Sequence, residues 1–267
     1  MLSSLSAFSQ SYLILNNGVT LTTDKAGFLY DFNHFRIPYK VTVNGGQFHV
    51  EDKKLSTVDT AGFLYEKNFK VDKVKGKGLN FLINDDNHLV TVDEKGFFYE
   101  YDKDDKVFKK AIAFGGNFFL VKEGRRSKVD LYTVNNKGNY FKIEVAGLDP
   151  ADIQTVGGTF FQTKNGVVYT VSKDGFVYAK PEVKVASIVK SGGNYLIDST
   201  NKIFTVTEDG FLMLPVLPLN IKVATVQKLG ANYMIDSEGR IFVVDDKGNM
   251  HERTIAHDLS NAKILSL

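Results

Sequence analysis

The sequence predicts an all-β fold, a seven-bladed β-propeller of four-stranded antiparallel blades whose ring closes where the N- and C-termini meet. Three observations predict it: a repeat near 35 residues, four strand-like runs in each copy, and no sustained helical period. A glycine followed by an aromatic or amide residue recurs at Gly27, Gly62, Gly96, Gly138, Gly175, Gly210 and Gly248. A unit of this size is one propeller blade. No blade buries both of its faces alone, so the seven form a single domain over residues 1–267.

The clearest copy begins at Gly192-Gly193, and its four runs give the strand frame. Strand A is Asn194–Asp198, B is Lys202–Thr207, C is Phe211–Leu214 and D is Lys222–Lys228. Each run is rich in β-branched and aromatic residues and is closed by Gly, Asn or Asp, which is the signature of a short strand. In this frame A is the inner strand and D the outer one. Strands B and C are apolar on both faces, as in Val167-Val168-Tyr169-Thr170-Val171, which suits blades packed face to face.

The prolines agree with the frame. Pro38, Pro150, Pro181, Pro215 and Pro218 all fall between C and D, in connections where no ladder hydrogen bond is needed. Closure leaves two candidates for one slot beside the last C strand. Leu2 to Phe8 and Ala262 to Leu267 both look like D strands. Closing the ring removes the sheet edges that invite aggregation.

Composition bounds the partners. A net charge of +2 argues against nucleic acid, and no run of 18 apolar residues marks a membrane span. The absence of cysteine excludes disulfides, thiolate metal sites and a cysteine nucleophile. The amino terminus lacks a basic n-region and a clear cleavage site, so a cytoplasmic location is expected, with a bacterial envelope location if a leader was removed. A monomer is expected.

Recurring polar positions have two readings. Asp24, Asp59, Asp93, Asn135, Ser172, Thr207 and Asp245 each precede the key glycine by three residues, as turn caps do. Thr22, Thr57, Thr91, Thr133, Thr170 and Thr205 lie two residues earlier, with Val243 breaking the series. A buried hydroxyl needs a partner, and recurrence points to one within the scaffold. The first position of each A strand holds Ser11, Gln47, Asn80, Asn117, Thr159, Asn194 or Asn232. In this frame they ring the channel mouth. Gln47, Asn80, Asn117, Asn194 and Asn232 are therefore candidates for holding a ligand, unless each caps its own glycine turn or bonds to its neighbour around the ring.

Departures from the repeat nominate docking loops. Blade four inserts Lys122-Glu123-Gly124-Arg125-Arg126-Ser127-Lys128 between A and B, and the pair Arg125 and Arg126 could clamp a carboxylate or phosphate. Blade one carries an aromatic C–D connection containing Phe35 and Arg36. Blade six carries an uncharged one with Leu214, Val216, Leu217 and Leu219 around Pro215 and Pro218. An apolar connection is either packed on a neighbour or an exposed docking patch.

Nothing in the sequence assembles a catalytic constellation. His34, His49, His88, His251 and His257 lack metal-ligand spacing, and neither a nucleophile elbow nor a phosphate loop is present. The runs Tyr169-Thr170-Val171-Ser172-Lys173-Asp174-Gly175-Phe176-Val177-Tyr178 and Lys202 to Leu212 resemble the repeats of quinoprotein-like propellers. The tryptophan-docking motif of the quinone-dependent dehydrogenases is missing, since the chain has no Trp. The resemblance therefore implies the non-enzymatic branch, whose members serve as scaffolds in bacterial envelope assemblies. The expectation is a non-enzymatic scaffold that binds a protein partner through its loops, with no cofactor and no metal. The alternative is a small-ligand or glycan-binding, lectin-like propeller. It calls for polar and aromatic groups repeated blade by blade, which the series Tyr30, Tyr65, Tyr99 and Tyr178 meets in part and Phe141, Met213 and His251 break.

Overall fold

A computed structural model describes residues 11–14, 20–31, 41–102, 104–124, 128–219, 221–255 and 259. Among these lie six four-stranded sheets and one three-stranded sheet, each built from strands consecutive in the chain. All pairings are antiparallel; the sheet Ile188–Ser191, Tyr195–Asp198, Ile203–Val206 and Leu212–Met213 is representative. The protein is an all-β propeller with antiparallel four-stranded blades. Helical structure among the described residues is confined to single turns at Asp105–Phe108, Pro150–Asp152 and Val223–Thr225. None is long and apolar enough to cross a membrane.

The strand phase differs from the sequence frame by one strand. The D strand does not close the blade before it but opens the next one. Ile188–Ser191 pairs with Tyr195–Asp198 across the Gly192-Gly193 turn, and Val226–Leu229 pairs with Tyr233–Asp236 in the same way. The physical reason is local: two strands joined by a tight glycine turn pair as a hairpin. The three-stranded sheet is accordingly the first, Ser11–Ile14, Thr20–Thr23 and Leu29–Asp31, and among the described residues no strand pairs with Ser11–Ile14 on its other side. The seventh sheet already has its four strands within residues 226–253. The two terminal runs proposed for the closing strand lie outside the described residues.

This phase also moves the axis. The strand before each glycine turn is the innermost. Phe114 packs on Gly76 of the neighbouring inner strand, and Lys190 Nζ donates to the Val226 carbonyl of the next. Lys77, Phe114, Val156 and Ser191, the last residues of four inner strands, line an axial cavity of about 200 Å³ with the glycine turns. All six described inner strands carry a β-bulge, which skips Thr42, Lys75, Ile112, Gln154, Val189 and Gln227 in turn. A bulge bends and twists a strand, and here it repeats at the strand nearest the axis.

The second and third strands of each described four-stranded sheet are buried on both faces almost throughout, and the core lies between blades rather than within them. Phe81, Ile83 and Leu89 of the third sheet pack on Phe119, Val121, Tyr132 and Val134 of the fourth. Fully burying one such side chain stabilises by about 1.5–3 kcal/mol. Two series of main-chain hydrogen bonds stitch the blades at one end. Near the axis Gln47 N donates to Leu79 O, Leu79 N to Gly116 O, Gly116 N to Gly158 O, Thr159 N to Gly193 O, and Gly193 N to Ala231 O. A Cβ on Gly158 would overlap the Gly193 backbone, so only glycine fits there. Farther out, Thr60 N donates to Glu94 O, Glu94 N to Asn136 O, Asn136 N to Lys173 O, Lys173 N to Glu208 O, Glu208 N to Asp246 O, and Asp246 N to Lys25 O.

The recurring threonines are interblade fasteners. The Oγ1 atoms of Thr22, Thr57, Thr91, Thr170 and Thr205 donate to the carbonyls of Gly62, Gly96, Gly138, Gly210 and Gly248 at 2.6–3.0 Å. Thr133 is the exception: its buried hydroxyl has no partner. Thr91→Val should therefore cost about 1–2 kcal/mol, whereas Thr133→Val should be neutral or stabilising. Urea denaturation of the two variants side by side checks this; equal losses would discard the fastener account.

His49 sits in the core of the second sheet, where burial pushes its pKa from 6.5 down to about 4. The fold thus favours the neutral imidazole. The stability tied to it is complete above the unfolded pKa and is lost as pH falls from about 6.5 towards 4. The loss should be on the order of 3 kcal/mol, at about 1.4 kcal/mol per pKa unit. His49→Leu should flatten this acid limb in unfolding midpoints measured between pH 7 and pH 4; an unchanged limb would place the sensitivity elsewhere.

Candidate functional site

Each key glycine stands in the turn between the third and fourth strands with φ between 75° and 86°, a conformation costly for any side chain bearing a Cβ. The residue three positions before it holds the turn. Asp93 Oδ1 accepts from Lys95 N at 2.9 Å and Phe97 N at 2.8 Å, and Asp59, Asn135 and Asp245 accept in the same two places. The second carboxylate oxygen takes the hydroxyl of the tyrosine three residues past the glycine. Tyr30 donates to Asp24 at 2.7 Å, Tyr65 to Asp59 at 2.8 Å and Tyr99 to Asp93 at 2.9 Å. His251 Nε2 lies 2.9 Å from Asp245 Oδ2 in the same role. These bonds hold the phenols neutral: burial and the Asp24 bond push Tyr30 up to about 12, and the Asp59 and Asp93 bonds raise Tyr65 and Tyr99.

Anchored in this way, each ring lies over the glycine of the following blade. A Cβ on Gly62 would stand 3.1 Å from the Tyr30 ring, one on Gly96 3.1 Å from Tyr65, and one on Gly210 3.0 Å from Tyr178. The residue after the glycine then projects outward beside the tyrosine. Phe28, Phe63, Phe97, Phe176 and Phe211 are 54–63% exposed, far more than their burial-driven neighbours, and Tyr30, Tyr65, Tyr99 and Tyr178 are near 40%. The result is a cleft between blades with a tyrosine from one and a phenylalanine from the next.

A cation stands in two of these clefts and in a third, between the seventh and first sheets, where His251 takes the place of the tyrosine. Lys67 Nζ lies 4.8 Å from the Tyr65 ring centre and 5.6 Å from that of Phe97. Lys180 Nζ lies 5.3 Å from Tyr178 and 5.4 Å from Phe211. Arg253 Cζ lies 5.0 Å from Phe28, with its Nε donating to Gly27 O. Burial against the rings lowers the Lys67 pKa. Tyr178, Lys180, Asp209 and Phe211 line an open cavity of about 400 Å³. Sequence reasoning found the tyrosine series and the aromatic after the glycine but missed the cations. They share one repeat position, two residues past Tyr65, Tyr178 and His251. An offset of two puts them on the ring's own face of a strand.

The residues singled out from sequence are not brought together. Gln47, Asn80, Asn117, Asn194 and Asn232 are buried between blades, with the inner strand between them and the axis, and do not line an open mouth. Asn80 Nδ2 donates to Asn135 O at 3.2 Å, Asn117 Nδ2 to Ser172 O at 3.1 Å and Asn194 Nδ2 to Asp245 O at 3.4 Å, all across to the next blade. Asn232 Oδ1 accepts from Thr23 Oγ1 at 2.6 Å. Leu214, Val216, Leu217 and Leu219 are exposed, Val216 to 91%. Arg125, Arg126, Phe35 and Arg36 lie outside the described residues.

No family model and no curated protein matches the chain in sequence. Solved structures do match. One titled virginiamycin B lyase from Staphylococcus aureus is 12% identical over 93% of this chain and 95% of its own, with a TM-score of 0.38. A streptogramin B lyase is 14% identical over 94% and 96%, with a TM-score of 0.33. The extracellular domain of a putative one-component system from B. thetaiotaomicron is 12% identical over 96% of this chain and 40% of its own, with a TM-score of 0.30. The expectation of a non-enzyme is thereby corrected: the solved structures similar to this chain include lyases. A likeness this distant reaches the fold and carries no activity to this chain.

Proposed function

We propose that seven blades close into one ring, a single domain over residues 1–267, and that this ring is a binding module whose interblade clefts take saccharides. Closure is supported by bonds between the seventh and first sheets, from Asp246 N to Lys25 O, Thr23 Oγ1 to Asn232 Oδ1 and Arg253 Nε to Gly27 O. Thr22 Oγ1 links the first sheet to Gly62 of the second.

The observation that carries the saccharide reading is the repeated exposure of Phe28, Phe63, Phe97, Phe176 and Phe211. The scaffold explains the tyrosines, which cover glycines and hold the turn caps. It does not explain a large apolar ring left mostly in water at five equivalent places. The apolar C–H face of a pyranose ring stacks on such a surface, while tyrosine and its capped carboxylate offer polar edges for the hydroxyls. A ring this rigid orders little on binding, and repeated weak sites add by avidity. Phe97→Ala with Phe211→Ala should weaken binding to a panel of immobilised polysaccharides by about tenfold or more. Stability should change by no more than about 0.5 kcal/mol per site, since both rings are exposed. Undiminished saccharide binding by the double variant would discard the reading.

A second reading, docking of a protein partner, draws on the exposed connection after Leu212–Met213. There Leu214, Val216, Leu217 and Leu219 stand in solvent around Pro215 and Pro218. The Arg125–Arg126 tip and the Phe35–Arg36 segment are further candidates for the same role. A partner recovered as well by Leu217→Asp with Leu219→Asp as by the unaltered protein would remove the connection. An affinity unmoved by Arg125→Ala with Arg126→Ala would remove the tip.

A further inference from the structure

What sets Lys67, Lys180 and Arg253 apart from the other basic residues is the aromatic face beside each. Lys53, Lys54, Lys70, Lys142, Lys164 and Lys222 each meet a carboxylate at 2.7–3.2 Å. Lys67, Lys180 and Arg253 meet none among the described residues. The carboxylates nearest to them are already engaged. Asp93 holds its turn and the Tyr99 hydroxyl, Asp245 holds its turn and His251, and Asp209 in the cleft wall lies 3.3 Å from Lys173 Nζ. A cation beside an aromatic face (two faces for Lys67 and Lys180, one for Arg253), with no carboxylate partner among the described residues, leaves the cleft open to an anionic group that arrives together with an apolar face.

We propose that these clefts select acidic saccharides, polymers of uronic acid or of sulfated sugar. The Phe ring of each cleft, with Tyr65 or Tyr178 in two of them and His251 in the third, takes the sugar body, and Lys67, Lys180 and Arg253 take its anionic group. This rests on the saccharide reading above and adds the ligand's charge. Three of the four remaining clefts differ in kind: Tyr101 and Asn139 stand where the third and fourth sheets meet, Ile143 and Phe176 where the fourth and fifth meet, and Pro215 and Asn249 where the sixth and seventh meet; in the fourth, between the first and second sheets, the equivalent residue, Phe32, lies outside the described residues. None of these three supplies a cation at the equivalent position. On the seven-blade ring the cationic clefts fall two, three and two blades apart, which spreads them around the whole circumference. A polyanion would then engage several at once, with avidity beyond any single cleft.

The test compares immobilised polygalacturonate with its fully methyl-esterified form, the same sugar body with and without charge, and heparin with dextran. The full chain should bind the acidic member of each pair about tenfold or more tightly near 50 mM salt, with the preference shrinking near 300 mM as screening sets in. Lys67→Gln, Lys180→Gln and Arg253→Gln together should abolish the preference while leaving binding of the ester intact. Equal affinity for acid and neutral partners overturns the inference and leaves the saccharide reading standing. Binding of no saccharide in the set overturns both. A triple variant that melts earlier yet keeps its acid preference also overturns it, and assigns the cations to holding blades together.

Discussion

Every blade of this chain is a thin antiparallel sheet with two apolar faces and nothing inside it to bury them against. The dependence is visible in the core, where Phe81 and Ile83 of one blade meet Phe119 and Val121 of the next rather than residues of their own sheet. Stability in such an array is a sum of interfaces between neighbours. The main-chain series running from Thr60 to Glu94, Asn136, Lys173, Glu208, Asp246 and Lys25 fixes those interfaces in register. Turn geometry serves this stitching. The capped turn and its left-handed glycine bring the glycine carbonyl within reach of the threonine hydroxyl of the blade before it in five of the seven turns.

That same turn places the rings from which the functional reading is built. The capped carboxylate fixes the tyrosine, the tyrosine covers the glycine of the next blade, and the residue after that glycine is pushed out into solvent. Scaffold and cleft therefore share their parts up to Tyr65 and Tyr178, and diverge at Phe97, Phe211, Lys67 and Lys180. Substitutions on the first set change stability, and those on the second can change binding with little structural cost. The lyase neighbours share this architecture at a distance that says nothing about which surface a given propeller uses.

How much could be read from the chain alone depends on whether the signal was local. The glycine at each turn, the cap three residues before it and the strand flanks announce themselves because φ, turn capping and strand propensity act over a few residues. The hairpin across Gly192-Gly193 was equally local, and taking that turn as a blade boundary displaced the inner strand by one position. Asn117 and Asn194 then passed for channel residues, although each reaches across to the next blade. Whether an amide at a strand start faces water or a neighbour is decided by which strand lies nearer the axis.

The sequence by itself determined the all-β class, the repeat unit, its turns and the placement of the four described prolines outside the strands, since hydrophobic pattern and backbone sterics dictate these within one repeat. Only the tertiary structure decided which strand lines the axis and which polar groups are interblade fasteners. It alone set Lys67 between Tyr65 of one blade and Phe97 of the next, residues 32 positions apart. Such a cleft exists only once two blades have packed, because each contributes one wall and neither wall has a local reason to be where it is.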